Sequence, residues 1–181
     1  MTKIPVYILA GGRSSRFGTD KARHQFDGQP LISQLAEFYK PFAEQIVVVA
    51  DRVGKYDDLG LTTIADEVTD RGPLSGLNTA LHHCTTSAWL LLSACDWVGL
   101  QRSWIDELLS RRDEGEGMQA IAYAGEHWEP LLSLYHYSIL GFVTRLLARE
   151  SLSLQGLLDT VDCVRLPLPA DFTKAANLNA P

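Results

Sequence analysis

Residues 6–22 read Val-Tyr-Ile-Leu-Ala-Gly-Gly-Arg-Ser-Ser-Arg-Phe-Gly-Thr-Asp-Lys-Ala. An apolar, β-branched-rich run from Ile4 to Ala10 closes on Gly11 and Gly12, the pattern of a buried parallel strand whose C-terminal end opens into a loop. Ligands of open α/β sheets bind at such ends. Glycines there let another group approach the backbone N–H groups closely, and an anion is the natural guest. Arg13, Arg16 and Lys21 surround the loop with cationic side chains, which form strong charge-assisted hydrogen bonds to phosphate. The segment reads as a phosphate cradle.

Two familiar cradles do not fit. A P-loop has four residues between its glycines followed by Gly-Lys-Ser/Thr, whereas five residues separate Gly12 from Gly18, and Thr19 and Asp20 come next. The dinucleotide pattern G-x-G-x-x-G is also absent. The pattern that does fit is L-A-G-G-x-S-x-R-hydrophobic-G-x-D-K, carried by Leu9, Ala10, Gly11, Gly12, Ser14, Arg16, Phe17, Gly18, Asp20 and Lys21. Further along, Ile64-Ala65-Asp66 precedes Gly72-Pro73-Leu74-Ser75-Gly76, the apolar run Trp89 to Cys95 ends on Asp96, and the chain closes on Asn177-Leu178-Asn179-Ala180-Pro181.

These motifs, in this order, resemble those of the molybdenum cofactor guanylyltransferases, a family of nucleotidyltransferases. The resemblance implies a three-layer Rossmann-like fold and transfer of GMP from GTP to the phosphate of molybdopterin, with Mg²⁺ and release of pyrophosphate. It implies that Leu9, Ala10, Gly11, Gly12, Lys21, Asp66, Gly72, Pro73, Leu74, Gly76 and Asp96 bind the nucleotide, with Arg16, Lys21 and Asp96 serving catalysis. Asp96 would hold the metal, and Asn177 and Asn179 the pterin acceptor. Transient contacts with cofactor-synthesis proteins or molybdoenzymes are a further implication. Two positions depart from the family: Ala50-Asp51 stands where the second strand usually ends in asparagine, and Trp97-Val98-Gly99 follows Asp96 where x-Pro is common.

The chemistry that the resemblance implies makes modest demands on the residues. A phosphate-oxygen nucleophile is already an anion, so the reaction requires alignment and neutralisation of charge on the leaving pyrophosphate, not a general base. Asp96, a carboxylate at a strand end, suits Mg²⁺, which takes one or two carboxylates and completes its shell with phosphates and water; the alternative is a helix N-cap or a solvated strand-end aspartate. Asp66 has a turn residue with an Asx-type hydrogen bond as its alternative. Gly72 to Gly76 can present backbone amides, or start a helix with Pro73 in its first turn, or both. Asn177 and Asn179 can bind the acceptor or terminate the chain in turns. A CTP-dependent enzyme, one with another phosphorylated acceptor, and a non-catalytic nucleotide-binding protein are the competing readings.

Composition sets the frame. With 181 residues, 46% hydrophobic and 21% charged, the chain suits one domain over residues 1–181 with a proper core. A net charge of −6 argues against a nucleic-acid-binding surface. No apolar run reaches membrane-spanning length and no signal-peptide pattern opens the chain, so a cytoplasmic location is expected. Three cysteines without a C-x-x-C pair give no disulfide framework or zinc site. His82-His83-Cys84 is a metal cluster only superficially, because adjacent helical side chains point apart. Trp97, Trp104 and Trp128 read as packing groups.

Helical and strand periodicities alternate along the chain, predicting a mainly parallel sheet covered by helices on both faces. Helices are expected at Leu31 to Tyr39, Leu74 to His83, around Trp104 to Leu109, Ile139 to Leu147 and Leu152 to Asp159. Strands are expected at Gln45 to Ala50, Leu61 to Ala65, Trp89 to Cys95, Gln119 to Ala124, Pro130 to Tyr135 and Cys163 to Leu166.

Overall fold

The structure, a computed structural model, describes residues 3–11, 20–66, 68, 71–113, 117–148, 153–172 and 176–177. Its centre is strand β1 (Ile4–Leu9), whose side chains alternate between two apolar layers. Ile4, Val6 and Ile8 face one layer; Tyr7 and Leu9 face the other. This period of two is why the six-residue strand is buried throughout.

Around it lie β4 (Ala43–Ala50), β5 (Thr63–Ala65), β6 (Trp89–Ala94), β8 (Ala120–Ala124), β9 (Trp128–His136) and β10 (Cys163–Pro167), in the order β10-β8-β9-β6-β1-β4-β5. The β1–β4, β1–β6, β4–β5 and β8–β10 pairings are parallel. Strand β9 runs against both neighbours, because it follows β8 through a short reversal at residues 125–127 with no helix between them. The expectation of a mainly parallel sheet holds, with β9 as its one antiparallel member among the described residues.

Helices α1 (Leu31–Tyr39) and α3 (Arg102–Ser110) pack on one face through Ile32, Leu35, Tyr39, Trp104, Ile105 and Leu108. Helices α2 (Pro73–His83), α4 (Leu140–Ala148) and α5 (Leu154–Leu158) cover the other through Leu77, Leu81, Val143, Leu146 and Leu157. The result is three layers. Burying side chains of this size stabilises by roughly 1.5–3 kcal/mol each, so the two apolar layers carry the fold.

The strand order reverses at β1. From β1 the chain passes by way of α1 to β4 and then to the edge strand β5; it next crosses back by way of α2, on the opposite face, to β6 on the other side of β1. Connections leaving to opposite sides open a crevice at the C-terminal ends of β1 and β6, the usual ligand position in such sheets.

Two small ribbons escaped the sequence reading. Strands β2 (Gln25–Phe26) and β3 (Gln29–Pro30) form a hairpin through Asp27 and Gly28, both with positive φ. Strands β7 (Trp97–Val98) and β11 (Ala176–Asn177) pair antiparallel, with Asn177 opposite Trp97. This corrects the idea that Asn177 merely ends the chain in a turn: its backbone belongs to a ribbon beside Asp96. The predicted strand from Leu61 is shorter, starting at Thr63, because the Leu61 amide closes the preceding loop on the Tyr56 carbonyl; the helix expected from Leu152 is described from Leu154 to Leu158.

Candidate active site

The crevice is assembled by backbone hydrogen bonds between strand ends. The Cys95 amide donates to the Leu9 carbonyl at 3.1 Å, the Ala10 amide to Val49 at 2.9 Å, and the Asp66 amide to Ala50 at 2.7 Å. These bonds set Ala10–Gly11, Asp66 and Cys95–Asp96 along one rim. Gly11 is exposed, and a Cβ there would meet nothing within 4 Å among the described residues, so packing does not require this glycine. Its missing side chain leaves backbone accessible from the crevice.

Lys21 opens a 3₁₀ turn, Lys21–Arg23, capped by Asp20. The Asp20 carboxylate accepts from the Ala22 amide at 3.1 Å and from the Tyr56 hydroxyl at 2.9 and 3.1 Å. Lys55 lies 3.6 Å from the same carboxylate and donates to Asp51 at 2.7 Å. Tyr56 is fully buried, with the Arg23 and Lys55 charges 5.2 and 5.6 Å from its ring centre. Burial raises the Tyr56 pKa, and the Asp20 carboxylate raises it further.

The Cys95 thiol reports how close these groups are. Its pKa is raised to about 12, chiefly by burial, then by the negative charges of Asp96 and Asp20, while Lys21 opposes the shift. The Lys21 and Asp96 charges thus act on the same thiol with opposite sign. Asp96 is half-buried just beyond β6. Among the described residues no group of three or more His, Cys, Asp or Glu gathers as a metal cage. A single strand-end carboxylate fits Mg²⁺, which uses one or two carboxylates and takes its other ligands from substrate phosphates and water.

Asp66 faces inward as much as toward the crevice. Its Oδ1 accepts from the Ser75 hydroxyl, from Thr79 at 3.1 Å and from the Val68 amide at 3.3 Å, the last being the Asx-type contact. Asp66 thus ties the end of β5 to the first turns of α2. Gly72 precedes that helix with φ 65° and ψ −161°, a conformation essentially confined to glycine, and Pro73 occupies the first turn. The N-terminal amides of α2 and the exposed Gly72–Pro73 backbone flank Asp66. Leu9, Leu74 and Gly76 are buried, so what they offer the crevice is backbone.

The tryptophans pack. The Trp97 indole donates to the Leu131 carbonyl at 2.8 Å and meets Phe172 edge-on at 5.7 Å; Trp104 is 3% exposed and stacks obliquely on Phe172. Trp128 donates to Asp159 at 2.7 Å, with the Arg165 guanidinium over its ring. Gly12, Ser14, Arg16, Phe17, Gly18 and Asn179 lie outside the described residues, and for Asn177 only the backbone is described. The sequence reading missed Tyr56 and Lys55. Their signal was faint: a Lys-Tyr pair following Gly54 in a loop.

Residues 6–163 match the family model of the MobA-like NTP transferase domain. The chain belongs to the MobA-like NTP transferase family. A probable molybdenum cofactor guanylyltransferase of Flavobacterium johnsoniae is 32% identical over 161 residues, covering 89% of this chain and 83% of that protein. The molybdenum cofactor guanylyltransferase of Yersinia pestis is likewise 32% identical, over 96% of this chain and 89% of its own length. The fold matches molybdopterin-guanine dinucleotide biosynthesis protein A of Archaeoglobus fulgidus, with TM-score 0.76, 23% identity and coverage of 94% and 85% of the two chains. It also matches a CMP:2-keto-3-deoxy-manno-octonic acid synthetase complexed with CTP, at TM-score 0.70 and 12% identity over 93% and 91%. Both structural matches show the fold. No helix among the described residues is long and apolar enough to cross a membrane.

Proposed function

We propose that the chain is a molybdenum cofactor guanylyltransferase, joining GMP from GTP to the phosphate of molybdopterin. The observation that carries this reading is membership of the MobA-like family, supported by Gly11 and Asp96 lying just beyond the ends of β1 and β6 at the switch point of the sheet.

In the reaction a phosphate oxygen of molybdopterin attacks the α-phosphorus of GTP. The bond from that phosphorus to the bridging oxygen breaks, and pyrophosphate leaves with the electron pair. The chain supplies position and charge. Amides of Gly11 and Gly12 bind the phosphate oxygens, and Lys21 and Arg16 neutralise the triphosphate. Asp96 would hold Mg²⁺, which supplies charge stabilisation at the transferring and leaving phosphates. Asp66 and the backbone at Gly72–Gly76 line the nucleotide's other side, with Leu9, Ala10, Pro73 and Leu74 shaping the floor. Asn177 and Asn179 would hold the acceptor, a reading supported by the backbone pairing of Asn177 with Trp97, the residue after Asp96. Handover of the product to cofactor-synthesis proteins or molybdoenzymes in the cytoplasm follows from the same reading.

The test is pyrophosphate release by the purified protein with Mg²⁺ and molybdenum-loaded molybdopterin, using GTP, CTP, ATP and UTP in parallel. Release with GTP alone is expected. Release with CTP alone, or with no nucleotide while a control guanylyltransferase turns over, overturns the assignment.

A further inference from the structure

We propose that Tyr56 and Asp20 are a positioning pair for Lys21, fixing its ammonium group for the nucleotide phosphates; the inference rests on the phosphate-binding role given to Lys21 above. The 3₁₀ turn carrying Lys21 spans three residues, closed by the His24 amide on the Lys21 carbonyl, and side chains from outside the turn add to its order. Asp20 spends one oxygen on the turn's own Ala22 amide, at 3.1 Å, while both oxygens receive the Tyr56 hydroxyl. Tyr56 is anchored in the apolar layer that also holds Ala50 and Leu91, so the hydroxyl it aims at Asp20 is fixed by the core.

The loop bearing Tyr56 is itself braced. Arg23 forks onto both oxygens of Asp58 at 2.7 Å and donates to the Lys55 carbonyl at 2.7 Å, joining the far end of the Lys21 turn to the same loop. Thr63 Oγ1 accepts from the Tyr56 amide at 3.2 Å, tying the loop to β5. Lys55 links Asp51, at the end of β4, to Asp20. The turn that carries Lys21 is thus held at both ends, through Asp20 and through Arg23. Asp20 also offsets cationic charge beside the crevice: Lys55 at 3.6 Å and Arg23 at 3.9 Å are both drawn to it. A carboxylate so near a polyphosphate site would repel the substrate if it were not held by these donors.

The experiment is a double-mutant cycle with Tyr56→Phe and Lys21→Ala, read as the dissociation constant for GTP and as KM and kcat, with thermal unfolding of every variant. Tyr56→Phe keeps the ring and its packing and removes only the hydroxyl. The expected result is a several-fold weaker GTP affinity and higher KM with kcat changed less, and no further weakening when Tyr56→Phe is added to Lys21→Ala, because the two act through one contact. Asp20→Asn, which retains a helix-capping oxygen but not the charge, is expected to weaken GTP binding in the wild-type background and to have no effect beside Lys21→Ala. An equal effect of Tyr56→Phe in both backgrounds, or none in either while Lys21→Ala weakens binding, overturns the positioning role alone. Unchanged GTP binding in Lys21→Ala overturns the phosphate role of Lys21 and the positioning role with it.

Discussion

Gly76, in the first turn of α2, lies directly against the side chain of Leu9 at the end of β1: a Cβ on Gly76 would sit 2.7 Å from Leu9 Cδ2 and 2.9 Å from Cδ1. The helix approaches the strand that closely because this position carries no side chain. Gly76→Ala is therefore expected to destabilise the protein by roughly 1–3 kcal/mol, toward the low end if Leu9 can rotate away. Urea unfolding measures it directly, as a lower midpoint at unchanged slope. An unchanged midpoint would mean that Leu9 yields freely.

Gly72, four residues earlier, is constrained by a different cause. Open space surrounds it, but its φ of +65° with ψ −161° is a conformation side chains avoid. Gly72→Ala is expected to cost roughly 1–3 kcal/mol through the backbone alone. Because Gly72 also leads into the α2 amides of the proposed nucleotide site, GTP affinity is expected to fall with stability. The comparison with Gly76→Ala separates the two effects, since a buried packing change leaves those amides in place.

Much of this was legible from the residues. The glycine pair after a β-branched strand announced an open strand end, and periods of two and of 3.6 located β1, α1, α2 and β6 within a few residues. Other features depend on partners far away in the chain. Nothing local says that Asp20 caps a turn held by Tyr56, thirty-six positions on, or that Asn177 pairs with Trp97. The antiparallel course of β9 was hidden because a strand's pattern reports burial and not direction. Asp66 was visible as a strand-end carboxylate, but its bonds to Ser75 and Thr79 require the helix to be placed first.

Those bonds make Asp66 a test of stability as well as binding. Ser75 and Thr79 are 0% and 3% exposed, and their hydroxyls meet the carboxylate in a space with little water. Asp66→Ala removes that shared acceptor and is expected to cost roughly 1–3 kcal/mol. Asp66→Asn keeps an oxygen and should recover most of it. If Asp66 also contacts the nucleotide, Asp66→Asn will weaken GTP binding while its melting temperature stays near wild type.

Asp96→Asn is expected to bind GTP with near-normal affinity in the absence of Mg²⁺ and to lose Mg²⁺-dependent turnover by at least about 100-fold, since charge stabilisation at the transferring phosphate is lost. Calorimetric GTP titrations with and without Mg²⁺, beside pyrophosphate release, give both quantities. Normal turnover in this variant would remove Asp96 from the metal site.

Cys95 allows the crevice's electrostatics to be read without any substrate. Burial is the first cause of its raised pKa, Asp96 and Asp20 add to it, and Lys21 opposes. The thiol moves from an ordinary 9.0 to about 12, so the folded state favours the neutral form. Its contribution to stability is then fully present below pH 9 and is lost as the pH rises toward 12. Because the thiolate is the reactive species, Cys95 should resist iodoacetamide at pH 8 in the native protein and react readily in denaturant. Asp96→Asn removes a negative charge that holds the proton on, so alkylation of Cys95 should quicken; Lys21→Ala should slow it. Peptide mass spectrometry after timed alkylation follows Cys95 separately from Cys84 and Cys163. Opposite responses of the two variants, corrected for their melting temperatures, would show Lys21 and Asp96 acting on the thiol from opposing charges. Equal responses would mean that burial alone governs it.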